Sequence, residues 1–503
     1  MTDTGGLEAE RERFIEALCV PELAGIVDLV VWVAGRDGAR AAYAANHLGR
    51  VRLAPGGRHE VLDGVDPVAS EDPMAFLPYA AEVAAPSPFR SVDNAYPYAA
   101  ERILSLFADP DRSPDLAIVH SPRHYFPDEG GHVGEHGSLD VVQSRAPLVL
   151  SGAGVRRLGY VDEHARLVDV GPTLAALAGV PDEQLCDGFG APLDGRVLAA
   201  YLDGAAPRAV VGVLWDGGHC GEVLHLAESG ELPAVARLIE LGVALRGGAV
   251  AQFPSITLTN HTSILTGVGP GRHGVLGNVY YDRATGERVV PNDESTWHRS
   301  SEWLRPGVRT VFEMVADTLP YAGPARTACI DEAIDRGADY STMQLIRASG
   351  STTGAGGLGD QLPDASTSPF LGDPRWLQDA YFRWGVSVDD LGVAQMRELY
   401  AGGLGHAPRL TWWANVVTDA GHHGGGPRSD MARESLRQAD ARLGTFLDAL
   451  TQRGELDEVA FLLTADHGFE GAVPPVEGSW RGALESVGVP YRDEGPGFVY
   501  IRP

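Results

Sequence analysis

The chain has 503 residues, 44% of them hydrophobic, with 63 glycines and 34 prolines spread along it; such a length suits one large domain with insertions or two to four ordinary ones. A formal net charge of −28 leaves no basic groove to neutralise a nucleic acid polymer or an anionic membrane, so neither is an expected partner. Small phosphorylated substrates stay open, because bound metal ions invert the local field.

In chain order, the first residues, MTDTGGLEAERERFIEAL, are acidic and amphipathic, with no basic or apolar leader, and no window approaches 18 uninterrupted apolar residues; a soluble, cytoplasmic protein is expected. Cysteines 19, 186, 220 and 329 form no CxxC pair and read as free thiols. Apolar runs recur at 26–33 (IVDLVVWV), 115–120 (DLAIVH), 146–151 (APLVLS), 209–215 (AVVGVLW), 411–418 (TWWANVVT) and 459–464 (VAFLLT). Each is short, rich in β-branched residues and followed by polar residues or glycine, which predicts strands buried on both faces. Helical patterns lie between them, as at 429–454, where Met431, Leu436, Ala439, Leu443, Phe446 and Leu450 recur at helical spacing. The alternation predicts an α/β fold, a largely parallel sheet with helices on both faces, and ligands at the carboxyl ends of its strands. The stretch 283–408 breaks the pattern, with Trp297, Trp303, Trp376 and Trp384 and a glycine-rich piece at 350–361, and is expected to be a cap or insertion over the site. Its acidic run, DEAIDRGAD (331–339), is expected to be a solvated face, and Trp297 and Trp303 are expected to pack rather than to stack on a base.

The chemistry concentrates late in the chain. Asp216 follows a strand run in VLWDGG. Thr257, in FPSITLTNHTSILTG (253–267), opens an apolar-periodic helix, where the field of the helix N-terminus favours an alkoxide and a bound phosphate. TDAGHHGGGP (418–427) supplies Asp419 with His423 four residues on, and LLTADHGFEG (462–471) supplies adjacent Asp466 and His467. Aspartate and histidine suit zinc, and also manganese. Two such ions could activate a nucleophile and stabilise both oxygens of an in-line phosphoryl displacement. A two-ion site needs about six protein ligands, and Asp216, Asp419, His423, Asp466 and His467 make five. His422 is the competing neighbour of His423, but only His423 keeps the four-residue spacing from Asp419. GGHVGEHGSLD (130–140), an early loop with two histidines, has nothing near it in sequence to complete a site.

These motifs resemble the nucleotide pyrophosphatase/phosphodiesterase branch of the alkaline phosphatase superfamily, to which phosphonoacetate hydrolases are also similar. The resemblance implies a three-layer α/β/α fold with a mostly parallel central sheet and an inserted cap. It implies Thr257 as covalent nucleophile and Asn278, in PGRHGVLGNVYYD (270–282), as donor to a phosphate oxygen. It implies one metal on Asp216, Asp466 and His467, which also binds Thr257, and a second on Asp419, His423 and a histidine from a G-x-H-G segment. In the family that segment comes late. Here GEHGSLD carries it early as His136, followed by RAPLVLSGAGV and VDVGPTLAALAGVP, and LDGRVLAAYLDG resembles a family tail. The implied arrangement is a circular permutation, with residues 1–205 forming the C-terminal part of the core and 206–503 its N-terminal and central part, including the 283–408 cap.

The expected function is a metal-dependent hydrolase, with two divalent ions (Zn2+, or Mn2+), that cleaves a phosphodiester or nucleotide pyrophosphate through a phospho-threonine. The expected partner is a small phosphorylated or phosphonate substrate. A phosphonoacetate-hydrolase-like or phosphomonoesterase activity is the alternative, and a non-catalytic binding protein a third reading.

Overall fold

In the computed structural model, residues 4–35, 40–84, 95–122, 124, 132–319, 326–349, 362–472, 476–495 and 497–503 are described; the glycine-rich 350–361 and Gly130–Gly131 lie outside them. The architecture grows from the strand Ala209–Trp215, seven consecutive buried residues. It pairs in parallel with Leu410–Asn415 on one side and Val459–Thr464 on the other. Beyond Leu410–Asn415 come the parallel strands Thr327–Ile330 and Tyr340–Ser341; beyond Val459–Thr464 come Leu148–Gly152, Gly242–Leu245 and Gly159–Val161. Only Leu148–Gly152 runs against the rest of these eight strands, antiparallel to both of its neighbours.

Successive side chains of a strand point to opposite faces, and both faces here are covered. Val210 and Leu214 join a core with Leu174 and Leu177 of helix Val170–Ala178, Leu265 of helix Thr257–Thr266, and Phe312 of helix Val311–Thr318. Val211 and Val213 join a second core with Val235 of helix Pro233–Glu240, Met396 of helix Ala380–Leu399, and Leu443 and Phe446 of helix Asp430–Gln452. The last helix starts where the sequence predicts, with Ser429 Oγ accepting from Ala432 N at 3.1 Å, and its six expected core residues are buried. The result is the expected three-layer α/β/α domain around a mostly parallel sheet.

Two of the six apolar runs lie elsewhere. Strands Val27–Ala34 and Leu116–His120 belong to a second, seven-stranded antiparallel sheet, ordered Tyr491–Glu494, Phe498–Ile501, Leu116–His120, Val27–Ala34, Ala41–Asn46, Gly49–Ala54, Arg58–Gly64. They read as parallel-sheet strands because both of their faces are covered. Leu29 and Val31 pack with Ile103 and Leu106 of helix Ala99–Leu106, while Val30 and Trp32 pack with Phe14 and Leu484. Continuous burial erases the alternation that marks an antiparallel strand.

The early segments interleave with the late ones. Leu148–Gly152 lies inside the central sheet, and Gly134–Glu135 pairs with Glu470–Gly471. Within 283–408, Thr327–Ile330 and Tyr340–Ser341 complete one edge of the central sheet, while Trp297, Met343 and Trp384 face the cleft at the strands' carboxyl ends. Among the described residues no helix is long and apolar enough to cross a membrane.

Candidate active site

The parallel register puts Trp215 opposite Asn415 and Leu214 opposite Thr464. Asp216, Asp419 and Asp466 follow these strand ends by one, four and two residues, so the sheet alone brings the three carboxylates to one rim. Asp419 and His423 share a face of helix Val417–Gly425, with His423 Nε2 3.5 Å from Asp419 Oδ2. His467 Nε2 lies 3.0 Å from Asp466 Oδ2 and 3.7 Å from Asp216 Oδ1. His136 arrives from the early loop and stacks on His467, ring centroids 3.7 Å apart and 13° from parallel. His136, Asp419 and His423 offer ligand atoms within 4.8 Å of one another, as do Asp216, Asp419 and His467.

The donor set fits divalent ions on several independent grounds. His136 Nδ1 donates to Ser255 O at 3.1 Å, and His423 Nδ1 donates to Gly134 O at 2.9 Å. Each bond leaves a lone pair on Nε2, and these two acceptors face each other across 3.2 Å. Asp216 Oδ1 and Asp419 Oδ1 are buried without a hydrogen-bond partner, and Asp466 Oδ2 and His467 Nε2 have only each other, 3.0 Å apart. Such groups are costly unless something positive binds them. The electrostatics agree. Burial, then the negative charges of Asp466 and Asp419, hold the Asp216 carboxyl well above the usual range. Burial and the neighbouring His467 and His423 hold His136 well below its ordinary value, in the neutral state a ligand requires.

Thr257 is the first residue of helix Thr257–Thr266 and lines the same cavity as His136, Asp216, Asp419 and His423. Asn278 lines it too. Its Oδ1 accepts from Leu258 N at 3.2 Å, so Nδ2 is its donor. His422 turns the other way, with Nδ1 2.7 Å from Thr418 O and Nε2 3.8 Å from the buried Glu222.

The decisive sequence match spans this rim: residues 210–479 fit the model of the type I phosphodiesterase/nucleotide pyrophosphatase family. The chain belongs to that family. The matched span holds every site residue predicted from the sequence except His136. Through this family the chain joins the alkaline phosphatase superfamily. Among curated relatives, an uncharacterized pyrophosphatase/phosphodiesterase of Schizosaccharomyces pombe is 36% identical over 75 residues, 13% of this chain and 16% of that protein. Alkaline phosphatase PafA of Elizabethkingia meningoseptica is 29% identical over 102 residues, 20% of this chain and 19% of that protein. The chain thus aligns with less than a fifth of either relative. Among solved structures, phosphonoacetate hydrolase from Sinorhizobium meliloti is 25% identical with a TM-score of 0.33, and murine ectonucleotide pyrophosphatase/phosphodiesterase 5 is 18% identical with a TM-score of 0.36; each match covers 52% of this chain and 57% of the other.

Several site residues of this phosphodiesterase-family chain escape sequence reasoning. His261 Nε2 lies 3.7 Å from Asp216 Oδ2 and 3.6 Å from Asp466 Oδ2, and its Nδ1 is 2.8 Å from Glu332 Oε2. It stands one helical turn after Thr257, on the same helix face, so its spacing was available as a signal. Phe469 packs among His136, His422, His423 and His467, with centroids 4.8–5.5 Å away. Tyr381 donates to Asp419 Oδ2 at 2.7 Å across 38 residues, which no local pattern announces. The same holds for Arg102, whose guanidinium ties the His136 loop to the loop that precedes Thr257 through Leu139 O at 2.7 Å, Ser144 Oγ at 2.6 Å and Ser255 Oγ at 3.1 Å. Burial pushes its pKa down to about 9.

The acidic run 331–339 is not a solvated face. Asp331, Glu332 and Asp335 are buried, because this segment leaves the strand Thr327–Ile330 directly into the cleft. Glu332 accepts from Ile334 N and Trp412 Nε1, and Asp335 from Ser341 and Arg347. Trp297 lines the cavity, whereas Trp303 packs against the core.

Proposed function

We propose that this protein is a metal-dependent hydrolase that cleaves a phosphodiester, a nucleotide pyrophosphate among the candidates, through a covalent phospho-threonine. The observation that carries this reading is the convergence of His136, Asp216, Asp419 and His423 with Thr257 on one cavity, beside the buried Asp466–His467 pair. Asp216, Asp466 and His467 would hold one ion, and Asp419, His423 and His136 the other. Zn2+ is favoured and Mn2+ is compatible. When bound, such ions supply the positive charge that favours a Thr257 alkoxide and balances the departing oxygen.

The chain's own groups divide the work as follows. Thr257 Oγ1 attacks phosphorus as the ester oxygen leaves, and water later releases the phosphoryl group from Thr257. The Thr257 position at the helix N-terminus favours the negative charge gathered there. Asn278 Nδ2 donates to a non-bridging oxygen, a contact whose loss typically costs about 10²–10³ in rate. A diester is favoured over a monoester because no arginine or lysine is among the described residues lining the cavity. A monoester brings one more negative charge and gains most from such a side chain.

Residues 1–205 and 206–503 act here as one core in permuted order. The support is the place of Leu148–Gly152 within the sheet and the pairing of the Gly134–Glu135 segment beside His136 with Glu470–Gly471.

The test is Thr257→Ala, loaded with zinc or manganese and assayed on bis-p-nitrophenyl phosphate. Turnover is expected to fall by at least about 10³-fold, with metal content still near about two ions per chain. A variant with the wild-type rate refutes Thr257 as nucleophile.

A further inference from the structure

Asp331 lies in the same cavity as Thr257 but has no part in the chemistry above. It is only 8% exposed, and neither of its carboxylate oxygens has a hydrogen-bond partner. The nearby Thr342 hydroxyl accepts from Asp331 N at 3.0 Å and donates to Gln395 Oε1 at 2.8 Å. Room for the carboxylate is made by Gly392, where a Cβ would stand 2.2 Å from Asp331 Oδ2. The backbone is held at φ +53°, in the left-handed region that non-glycine residues seldom adopt. Backbone strain and an unpaired buried acid at one residue of a cleft are features that a ligand commonly explains.

The rest of the cavity lining narrows the ligand. Trp297 and Trp384 stand 5.3 Å apart, Tyr381 stacks on Trp384 at 5.9 Å, and the Trp297 N–H is already given to Asn292 Oδ1. These rings present electron-rich faces that favour a cation. Glu294 adds a second carboxylate to the lining. An anionic group would be repelled here. A quaternary ammonium would suit the rings but leave both Asp331 oxygens unbonded. A protonated primary amine satisfies both, because it is a cation with three N–H donors.

We propose, building on the phosphodiesterase reading, that Asp331 is a specificity-determining residue that binds a protonated primary amine on the substrate, so that the preferred substrates are aminoalkyl phosphodiesters. Burial and then the negative charge of Asp389 push the Asp331 carboxyl well above its usual range when no cation is bound, consistent with a group awaiting a positive partner.

The test compares 2-aminoethyl p-nitrophenyl phosphate with n-propyl p-nitrophenyl phosphate, in which a methyl replaces the ammonium at nearly the same shape. The wild type is expected to prefer the amine by about tenfold or more in kcat/KM, as a desolvated cation contact allows. Asp331→Asn is expected to bring that ratio to within about twofold of unity while the propyl ester is cleaved at nearly the wild-type rate. Asparagine tolerates the left-handed backbone, so the variant should fold. Equal wild-type kcat/KM for the two esters, or an undiminished preference in Asp331→Asn, overturns the proposal. If neither ester is cleaved, the phosphodiesterase reading fails by itself. The amine site is then judged by calorimetry with 2-aminoethyl phosphate and propyl phosphate on the wild type: tenfold tighter binding of the amine supports it, and equal or undetectable binding overturns it.

Discussion

Gly217→Ala probes the site without replacing any proposed ligand. Gly217 follows Asp216, has φ +64°, and donates its N–H to Asp466 Oδ1 at 2.9 Å. A Cβ there would stand 2.2 Å from Phe469 Cε2, 2.9 Å from Phe469 Cδ2 and 3.0 Å from Asp419 Oδ1. Carbon atoms pack at roughly 3.5–4.0 Å, so the Phe469 ring must retreat by about 1.3 Å or more. It has nowhere free to go, being fully buried among four histidines, three of them proposed ligands. The left-handed backbone adds about 1–2 kcal/mol for alanine, and overpacking about 1–3 kcal/mol. The expected loss of stability is therefore about 2–5 kcal/mol. Since a misplacement of about 1 Å in a reacting site costs roughly 10²-fold, kcat on bis-p-nitrophenyl phosphate should fall by at least about that factor. The assay is run well below the unfolding temperature with metal content measured alongside. Gly218→Ala is the control, because the atoms nearest its Cβ would be those of Trp215 and Ala465 at 3.1–3.5 Å. A Gly217→Ala protein with wild-type kcat and metal content would refute the packing argument.

Two further predictions concern the scaffold. Burial pushes the Asp109 carboxyl up, but Arg305 and the Arg112 and Asp111 amides outweigh it and hold it below the usual range. A depressed folded pKa stabilises above the unfolded value and is lost as pH falls through the folded one. Asp109→Asn should thus cost about 2–3 kcal/mol at pH 7 by denaturant unfolding, and the gap to wild type should narrow as pH drops below about 4; a constant gap down to pH 3 would contradict the assignment. A fragment of residues 207–503 should fail to unfold cooperatively, since it lacks Leu148–Gly152 from inside the sheet as well as His136. A cooperatively folded, active fragment would show residues 1–206 to be an independent unit.

The sequence by itself determined whatever depends on local pattern. Buried-strand runs, the helix periodicity from Met431 to Leu450, the helix start at Thr257 and the Asp419–His423 spacing are short-range features, each legible from a dozen residues or fewer. Family-like motifs extended this to His136 and Asn278. Tertiary structure decided what depends on contacts between distant segments. Strand direction at Val27–Ala34 was illegible because helices bury both of its faces and so remove the period-two signal. The acidic run at 331–339 reads as solvated because charge usually implies exposure; the chain instead turns it into the cleft, where Glu332 meets His261 and Asp331 stays unpaired. Tyr381 reaches Asp419, and Arg102 reaches Ser255, across 38 and 153 residues. Contacts at such separations are set by how the layers pack, and local sequence carries no record of them.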